Sequence, residues 1–295
     1  MAKERILITG ATGTLGAATI TELMNHPAKP SFDVVAGLRN VSHLEALSNS
    51  RPDDVIRLDF CDISSFEAAL QGVDRLLFIR PSALSDVERF FKPFVAAARE
   101  AGVRQVTFLS MLGAEHNPII PHHRIEKLIV ESGIVFTFLR TGFFMQNLCT
   151  LHRDEIRLRN EIFVPAGDGK ACFVDVRDVA TIAARSLTNP GDLYTNRSFE
   201  ITGSDVLTHL DMCQILSVVL GRRITYRNPS ALRFIWHKWH NEHHPLYDIL
   251  ARTMLYTSIR FSRTAQTSQE AEYLLGRPPI TFRQFVNDYR ESWMG

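Results

Sequence analysis

Gly10, Gly13 and Gly16, spaced three apart, are the residues of this chain best suited to holding a charged ligand. They follow Arg5-Ile-Leu-Ile-Thr9, an apolar run too short for a helix, which reads as a buried strand. They lead into Ala17–Met24, which reads as a helix. A glycine turn between a strand and a helix N-terminus offers free backbone N–H groups and the positive end of the helix dipole to an anion. Thr12, Thr14 and Leu15 complete the turn, and the phosphates of a dinucleotide suit its chemistry. The alternative, an ordinary turn that happens to hold three glycines, is weakened by the strand before and the helix after. The second strand, Phe32–Leu38, ends at Arg39-Asn40. An acidic residue there would hold both ribose hydroxyls of NAD, whereas a basic one suits a 2′-phosphate. Arg39 therefore favours NADPH over NADH, the alternative being a solvated arginine at a strand end.

Other side chains could also do chemistry. His122 and His123 open a helix; imidazole titrates near neutral pH and could relay a proton, or the two could be a half-exposed pair without a role. Asp175 and Asp178 suggest paired carboxylates, but their place at a helix start favours N-terminal capping. The stretch Phe234-Ile-Trp-His-Lys-Trp-His-Asn-Glu-His-His244 sets His237 and His240 three apart, with His243 and His244 close behind. Without an H-E-x-x-H pattern or a cysteine partner it is not expected to hold a metal. Phe234, Trp236 and Trp239 are expected instead in a lid over an aromatic substrate.

The elements that must position these residues alternate strictly. Short helices are expected over Ser42–Leu47 and Ser64–Leu70, the latter capped by Ser64 with Glu67. Longer ones are expected over Ser85–Ala101 and His122–Ser132. Strands are expected at Asp54–Asp59, Arg75–Ile79, Gln105–Ser110 and Ile134–Leu139. Apolar strands alternating with helices demand a parallel sheet wound on both faces. Past Arg140 the rhythm changes: Gly142–Arg159 reads as helical, Ile162–Pro165 as extended, Val176–Leu187 as a helix and Phe199–Thr202 as a strand. Val206–Leu220 and Phe282–Trp293 are the clearest late helices. The expected fold is α/β, a doubly wound Rossmann sheet over residues 1–150, with 171–203 returning to it. A smaller helix-rich substrate part (151–170 and 204–295) is expected at the sheet's C-terminal edge, where such folds bind ligands.

Composition narrows the function. A net charge of +1 over 295 residues gives no reason to expect a nucleic-acid or membrane surface. No apolar run approaches the ~18 residues of a membrane span, and the first strand begins too early to leave room for a leader. The four cysteines are scattered without a C-x-x-C pair, as in a reduced cytoplasmic protein.

Several stretches together resemble the NmrA-like atypical short-chain dehydrogenase/reductases, the branch with NAD(P)H quinone reductases and triphenylmethane-dye reductases. The Gly-x-x-Gly-x-x-Gly spacing is similar to the turn of extended and atypical members. The matching segments are Ile6–Gly16, Ala36–Arg39, Leu58–Asp62, Val106–Ser110, Glu126–Asn147, Ala166–Ala180 and the late Gly276-Arg-Pro-Pro…Phe282-x-x-Phe285. The most specific is Glu126…Ser132-Gly133…Thr137…Leu139-Arg140…Gly142-Phe-Phe…Gln146-Asn147. The resemblance implies that Asp59 and Phe60 meet the adenine, and that Arg80 and Pro81 lie beside the sugar and nicotinamide. It also implies a Ser110 hydroxyl near the nicotinamide, with Phe143, Phe144 and Asn147 lining the pocket above it. Core packing is the alternative for the two phenylalanines.

One departure is large. Conventional members use Tyr-x-x-x-Lys, the tyrosine protonating the carbonyl oxygen. Here the lysine position falls at His122 and the tyrosine position at Pro118, and the first tyrosine in the chain is Tyr194. His122 could stand in for the lysine at the ribose. An acceptor whose reduced product is a delocalised anion, such as a hydroquinone, needs no strong acid. The expected function is thus NADPH-dependent reduction of an aromatic or conjugated small molecule (a quinone, a dye or an imine) by a monomer or homodimer. The competing function is a cofactor-binding regulator, like the NmrA-type sensors, without turnover.

Overall fold

Runs rich in β-branched and aromatic residues, each too short for a helix, form the strands that organise the chain. The computed structural model describes residues 3–42, 47, 51–189, 191–240, 242, 245–261 and 265–294. In chain order β1 (Glu4–Ile8), α1 (Thr14–Met24), β2 (Phe32–Leu38), β3 (Asp54–Arg57) and α2 (Ser64–Leu70) come first. Then follow β4 (Arg75–Phe78), α3 (Val87–Glu100), β5 (Gln105–Met111), α4 (Pro121–Ser132) and β6 (Val135–Thr141). Next are β7 (Phe143–Phe144), α5 (Arg153–Arg159), β8 (Glu161–Phe163), β9 (Ala171–Val174), α6 (Val176–Thr188) and β10 (Arg197–Ile201). The last are β11 (Val206–Leu207), α7 (His209–Leu220), β12 (Thr225–Arg227), α8 (Ala231–His240), α9 (Leu246–Phe261), α10 (Glu270–Leu275) and α11 (Phe282–Asp288). The helix expected over Ser42–Leu47 lies mostly outside the described residues.

The chain divides into two units, residues 1–141 with 176–201 and residues 142–175 with 202–295. The first unit is a seven-stranded parallel sheet in the order β10-β6-β5-β4-β1-β2-β3. Helices α1 and α6 pack together, and α2, α3 and α4 form a second group. Under that second group lies a core of phenylalanines, Phe66, Phe78, Phe91, Phe94 and Phe108 among them. The C-terminal carbonyls of α6 are tied to the sheet by buried side chains. Arg75 donates to the Leu187 carbonyl, and Gln105 Nε2 to the Ser186 carbonyl at 2.9 Å. The cap expected at Ser64 is absent: its hydroxyl donates instead to Asp62 at 2.6 Å, because the helix already begins there.

The second unit begins earlier than the sequence pattern suggests. Residues 142–150 were expected as helix in the first unit, yet Phe143 and Phe144 pair with Phe173 and Val174 as β7 alongside β9. This pairing carries both segments into the second unit. Val206 and Leu207 likewise form an antiparallel strand with β9, and α7 starts only after Thr208, whose side chain and Asp211 make a capping box. At the turn after Pro165, a Cβ on Gly169 would fall 2.9 Å from the Arg260 Cα, so only glycine lets α9 lie this close.

Unnoticed in the sequence is a buried polar chain in this unit. Lys238 Nζ donates to Glu155 and, at 2.8 Å, to Glu242. Glu155 also faces His152 Nδ1 at 3.0 Å, and His152 Nε2 meets the Tyr256 hydroxyl at 2.6 Å. Burial opposes the charge of Glu155, but the His152 hydrogen bond and the Lys238 charge outweigh it and hold the carboxyl at about 2. The local signals were the His152/Glu155 and Lys238/Glu242 spacings; the bonds that join them, from Glu155 to Lys238 and from His152 to Tyr256, span 83 and 104 residues. His209, 3% exposed, is pushed down to about 3 by burial and by the neighbouring His152 charge.

Lys238→Met should strand the Glu155 charge and destabilise the second unit by about 3–5 kcal/mol, with Glu155→Gln in the same chain restoring part of the loss. All three tryptophans lie in this unit, so urea unfolding followed by tryptophan fluorescence reads it directly. An unchanged midpoint would show that the network does not support the unit. His209 adds a pH dependence. The unfolded chain takes up a proton near pH 6.5, which the folded chain refuses down to about 3. Stability present above pH 6.5 is therefore lost as pH falls towards 3, with roughly 2 kcal/mol gone by pH 5. His209→Phe should flatten that slope in the same measurement.

Candidate functional site

Between β2, β1 and β4 the order of the parallel sheet reverses direction, because the chain runs outward from β1 to β3 and then crosses back to β4 beside β1. Ligands of such sheets bind at the carboxyl ends of the strands flanking this switch point. The glycine turn leaves β1 here, and Arg80-Pro81 leave β4. The Thr9 hydroxyl joins the two strand ends, accepting from the Ile79 N–H at 2.8 Å. Gly10 has φ +59°, and a Cβ there would press on the Ile79 side chain at 3.2 Å. Gly13 N donates back to the Gly10 carbonyl at 2.9 Å and closes the turn. A Cβ on Gly16 would lie 2.8 Å from the Ala11 Cα and inside contact distance of the Gly10 oxygen. The absence of that carbon lets the first turn of α1 rest on the end of β1. Thr12, Gly13 and Thr14 are exposed, no side chain caps α1, and no acidic residue occupies its first turn. The helix N-terminus thus keeps free donors and an uncompensated positive end, which fits a pyrophosphate.

Arg39 stands exposed just beyond β2, with no ion-pair partner among the described residues. Asp59 is half-buried and its carboxylate accepts from the Cys61 N–H at 2.9 Å. Phe60 is 6% exposed and its ring packs 4.9 Å from Phe94 and 5.3 Å from Phe91, so the ring serves the core. Arg80 is turned onto its own loop, donating to the carbonyls of Pro81 at 2.9 Å, Ser82 at 3.2 Å and Leu84 at 2.6 Å. Its Nε is buried without a partner, and burial lowers its pKa to about 10.

His122 occupies the first turn of α4 beside Phe108, with ring centroids 6.1 Å apart, and its Nδ1 is buried without a partner. Burial and the nearby Arg80 charge push its pKa down to about 3. The expectation of an imidazole titrating near neutral pH is therefore corrected: His122 is neutral across the physiological range. His123 serves its own loop, its Nδ1 meeting the Ala114 carbonyl at 2.9 Å. Ser110 is 2% exposed and donates its proton to Glu126 Oε1 at 2.6 Å. Glu126 is in turn held by Arg140 through two hydrogen bonds, 3.1 Å from Nε and 2.7 Å from Nη2, and Arg140 Nη1 lies 3.2 Å from Glu115. The hydroxyl expected at a nicotinamide is engaged in this buried network.

The profile of the NmrA-like family matches residues 2–235. This chain belongs to that family. It is 33% identical over 233 residues to quinone oxidoreductase 2 of Escherichia coli (strain K12), covering 78% of this chain and 79% of that one. Among solved structures it resembles the E. coli NADPH-dependent quinone oxidoreductase complexed with NADPH, with a TM-score of 0.83, 28% identity and coverage of 97% and 99%. The Citrobacter sp. triphenylmethane reductase complexed with NADP(H) is similar too, with a TM-score of 0.82, 26% identity and coverage of 96% and 99%.

The Glu126…Arg140 spacing of this NmrA-like chain is now explained, since the two residues form the bidentate pair that holds Ser110. Gln146 of the same stretch donates to Asp175 at 2.7 Å, both residues being buried. Asp175 thus receives a side-chain amide, while Asp178 sits in the first turn of α6. In the second unit Phe143 packs 5.8 Å from Phe173 yet stays half-buried, as do Phe144 and Asn147. Phe234, expected in a lid, is fully buried, because α8 turns that face to the core. Trp236 and Trp239 are 56% and 58% exposed. His240 stacks on Trp236 at 5.1 Å and His237 lies 3.4 Å from Glu242; His243 and His244 fall outside the described residues. Pro118 sits in the exposed loop before α4, and Tyr194 is buried against Phe199. Tyr194 precedes β10, an edge strand four places from β1, and so lies by the amino end of that strand, whereas the glycine turn leaves the carboxyl end of β1.

Gly13→Val should abolish NADPH binding in a chain of native circular dichroism, because a Cβ there meets only the Gly10 oxygen at 3.2 Å. Gly16→Val should also lower the melting temperature, since it forces α1 off the turn. Wild-type NADPH affinity in Gly13→Val would remove the turn from the site. For His122, the imidazole proton shifts in NMR should not titrate between pH 5 and 8; a midpoint near 6.5 would refute its burial beside Arg80.

Proposed function

We propose that this NmrA-like protein is an NADPH-dependent oxidoreductase that reduces a flat, conjugated acceptor such as a quinone or dye without a tyrosine–lysine pair. The observation that carries this reading is the uncapped glycine turn, with a free Arg39 at the tip of the neighbouring strand. The relatives that bind NADPH or NADP(H) support it. The backbone of residues 10–14 would hold the pyrophosphate, and Arg39 the 2′-phosphate. Asp59 would meet the adenosine end by its half-exposed carboxylate, and Arg80, Pro81 and His122 would flank the nicotinamide end. Bound NADPH supplies a hydride. The chain's contribution near that hydride is positional, since its candidate acids are unsuitable: Ser110 is engaged by Glu126, and Tyr194 lies before the edge strand β10, four strands from β1. His122, uncharged, can donate an N–H but carries no labile imidazolium proton at neutral pH. An alkoxide formed from a simple ketone would lack its proton donor, whereas a hydroquinone anion is already delocalised and can take a proton from water.

Arg39→Ala should weaken NADPH by about 1.5–3 kcal/mol more than NADH, as expected for charge-assisted hydrogen bonds lost from one cofactor alone. Calorimetric titration of both cofactors measures it, and equal losses would take Arg39 out of the phosphate site. Quinone reduction should show no pH dependence from His122 over pH 5–9, and His122→Ala should reduce it far less than the 10²–10⁴-fold typical of a lost general acid. Aliphatic ketones should be poor substrates. Phe144→Ala should raise KM for an aromatic acceptor with little change in kcat. Ketone turnover that collapses in His122→Ala would make the histidine an acid after all. Tight NADPH binding with no turnover of quinones, dyes or iminium compounds would favour a cofactor-sensing regulator.

A further inference from the structure

Helix α9 is apolar on both faces. Ile249, Thr253, Tyr256 and Ile259 point into the second unit's core. On the outer face Leu246, Tyr247, Leu250, Met254 and Phe261 are 52%, 59%, 44%, 74% and 76% exposed. Helix α8 packs against α9 and adds Leu232 at 80%, with Trp236 and Trp239. No aspartate, glutamate or lysine is exposed on either helix; Arg233 and Arg260 are their exposed charges, with His240 beside them. A monomer rarely shows a contiguous apolar patch beyond a few hundred Å².

We propose that the α8–α9 face is a twofold interface with a second copy of this chain. These eight side chains leave on the order of 1,000 Å² exposed, against about 800 Å² per partner in an interface of standard size. Their composition is that of an interface centre, aromatic and aliphatic with one methionine; Arg233 and Arg260 are exposed beside them, and the one carboxylate of α9, Asp248, is half-buried against Arg252 at 3.0 Å. The exposed positions 246, 250, 254, 258 and 261 make a stripe along a helix of roughly 24 Å. Along it the small Ala251 and Ser258 adjoin the large Leu250 and Met254, so each copy offers both ridges and gaps. Such a face is complementary to itself in a twofold-related, antiparallel arrangement, as a closed dimer requires. A lipid-docking face would instead be rimmed by many lysines and arginines.

Sedimentation velocity and light scattering of the full chain should give about twice the 33.4 kDa chain mass at micromolar concentration. Met254→Asp should weaken the dimer at least about 100-fold while keeping native circular dichroism, because it buries a charge only in the assembly. Ser258→Arg, which blocks a gap on an already polar position, is the second variant should Met254→Asp fail to fold. Acrylamide should quench Trp236 and Trp239 more strongly in the dissociated variants than in the wild type. A wild type that stays monomeric at about 100 μM overturns the proposal. So does a dimer that both folded variants leave intact. A monomer that floats with phosphatidylglycerol vesicles would give the face to lipid and overturn it too.

Discussion

The first unit depends on one close approach, that of the first turn of α1 to the carbonyl of Gly10. A single side-chain carbon on Gly16 would forbid it. With that carbon absent, α1 starts directly over the end of β1, its free N–H groups open to solvent and its dipole uncompensated. The neighbouring β4 exit, tied to β1 through Thr9, puts Arg80 beside the same opening. The anion-binding geometry is therefore a consequence of how strand and helix pack.

Buried ion pairs in each unit explain residue patterns that a search for catalytic groups would misassign. Glu126 and Arg140 lock Ser110 in the first unit; Glu155, Lys238 and Glu242 fasten α5 to α8 in the second. Removing one partner from such a pair is costly because the other is left charged and dehydrated, so these residues act on architecture first. Half-buried His122 and buried His209 behave differently. His122 and His209 lack a carboxylate partner among the described residues, and burial keeps them neutral. Electrostatically, the candidate cofactor site is thus rich in fixed positive ends and poor in proton donors. That balance suits a dinucleotide phosphate and an acceptor that stabilises its own charge.

Among the described residues, no helix is long and apolar enough to cross a membrane. The apolar surface that the chain does expose is concentrated on α8 and α9, whose inner faces are already committed to the core.

By itself the sequence determined the parallel α/β sheet, the glycine turn and the arginine at the tip of β2. Each is written in short-range spacing: apolar runs alternating with helix-period segments, three glycines at intervals of three, a basic residue where a strand stops. Tertiary structure decided what those spacings could not carry. Ser110 looked free until Glu126, sixteen residues on, was found to accept its proton. His122 looked titratable until Arg80 and the core around Phe108 were placed against it. Phe60 and Phe234 read as ligand contacts, yet the core takes both rings. The unit boundary moved to residue 142 because Phe143 and Phe144 pair with residues thirty positions away. Protonation and burial depend on which distant groups share a space, and only the folded chain brings those groups together.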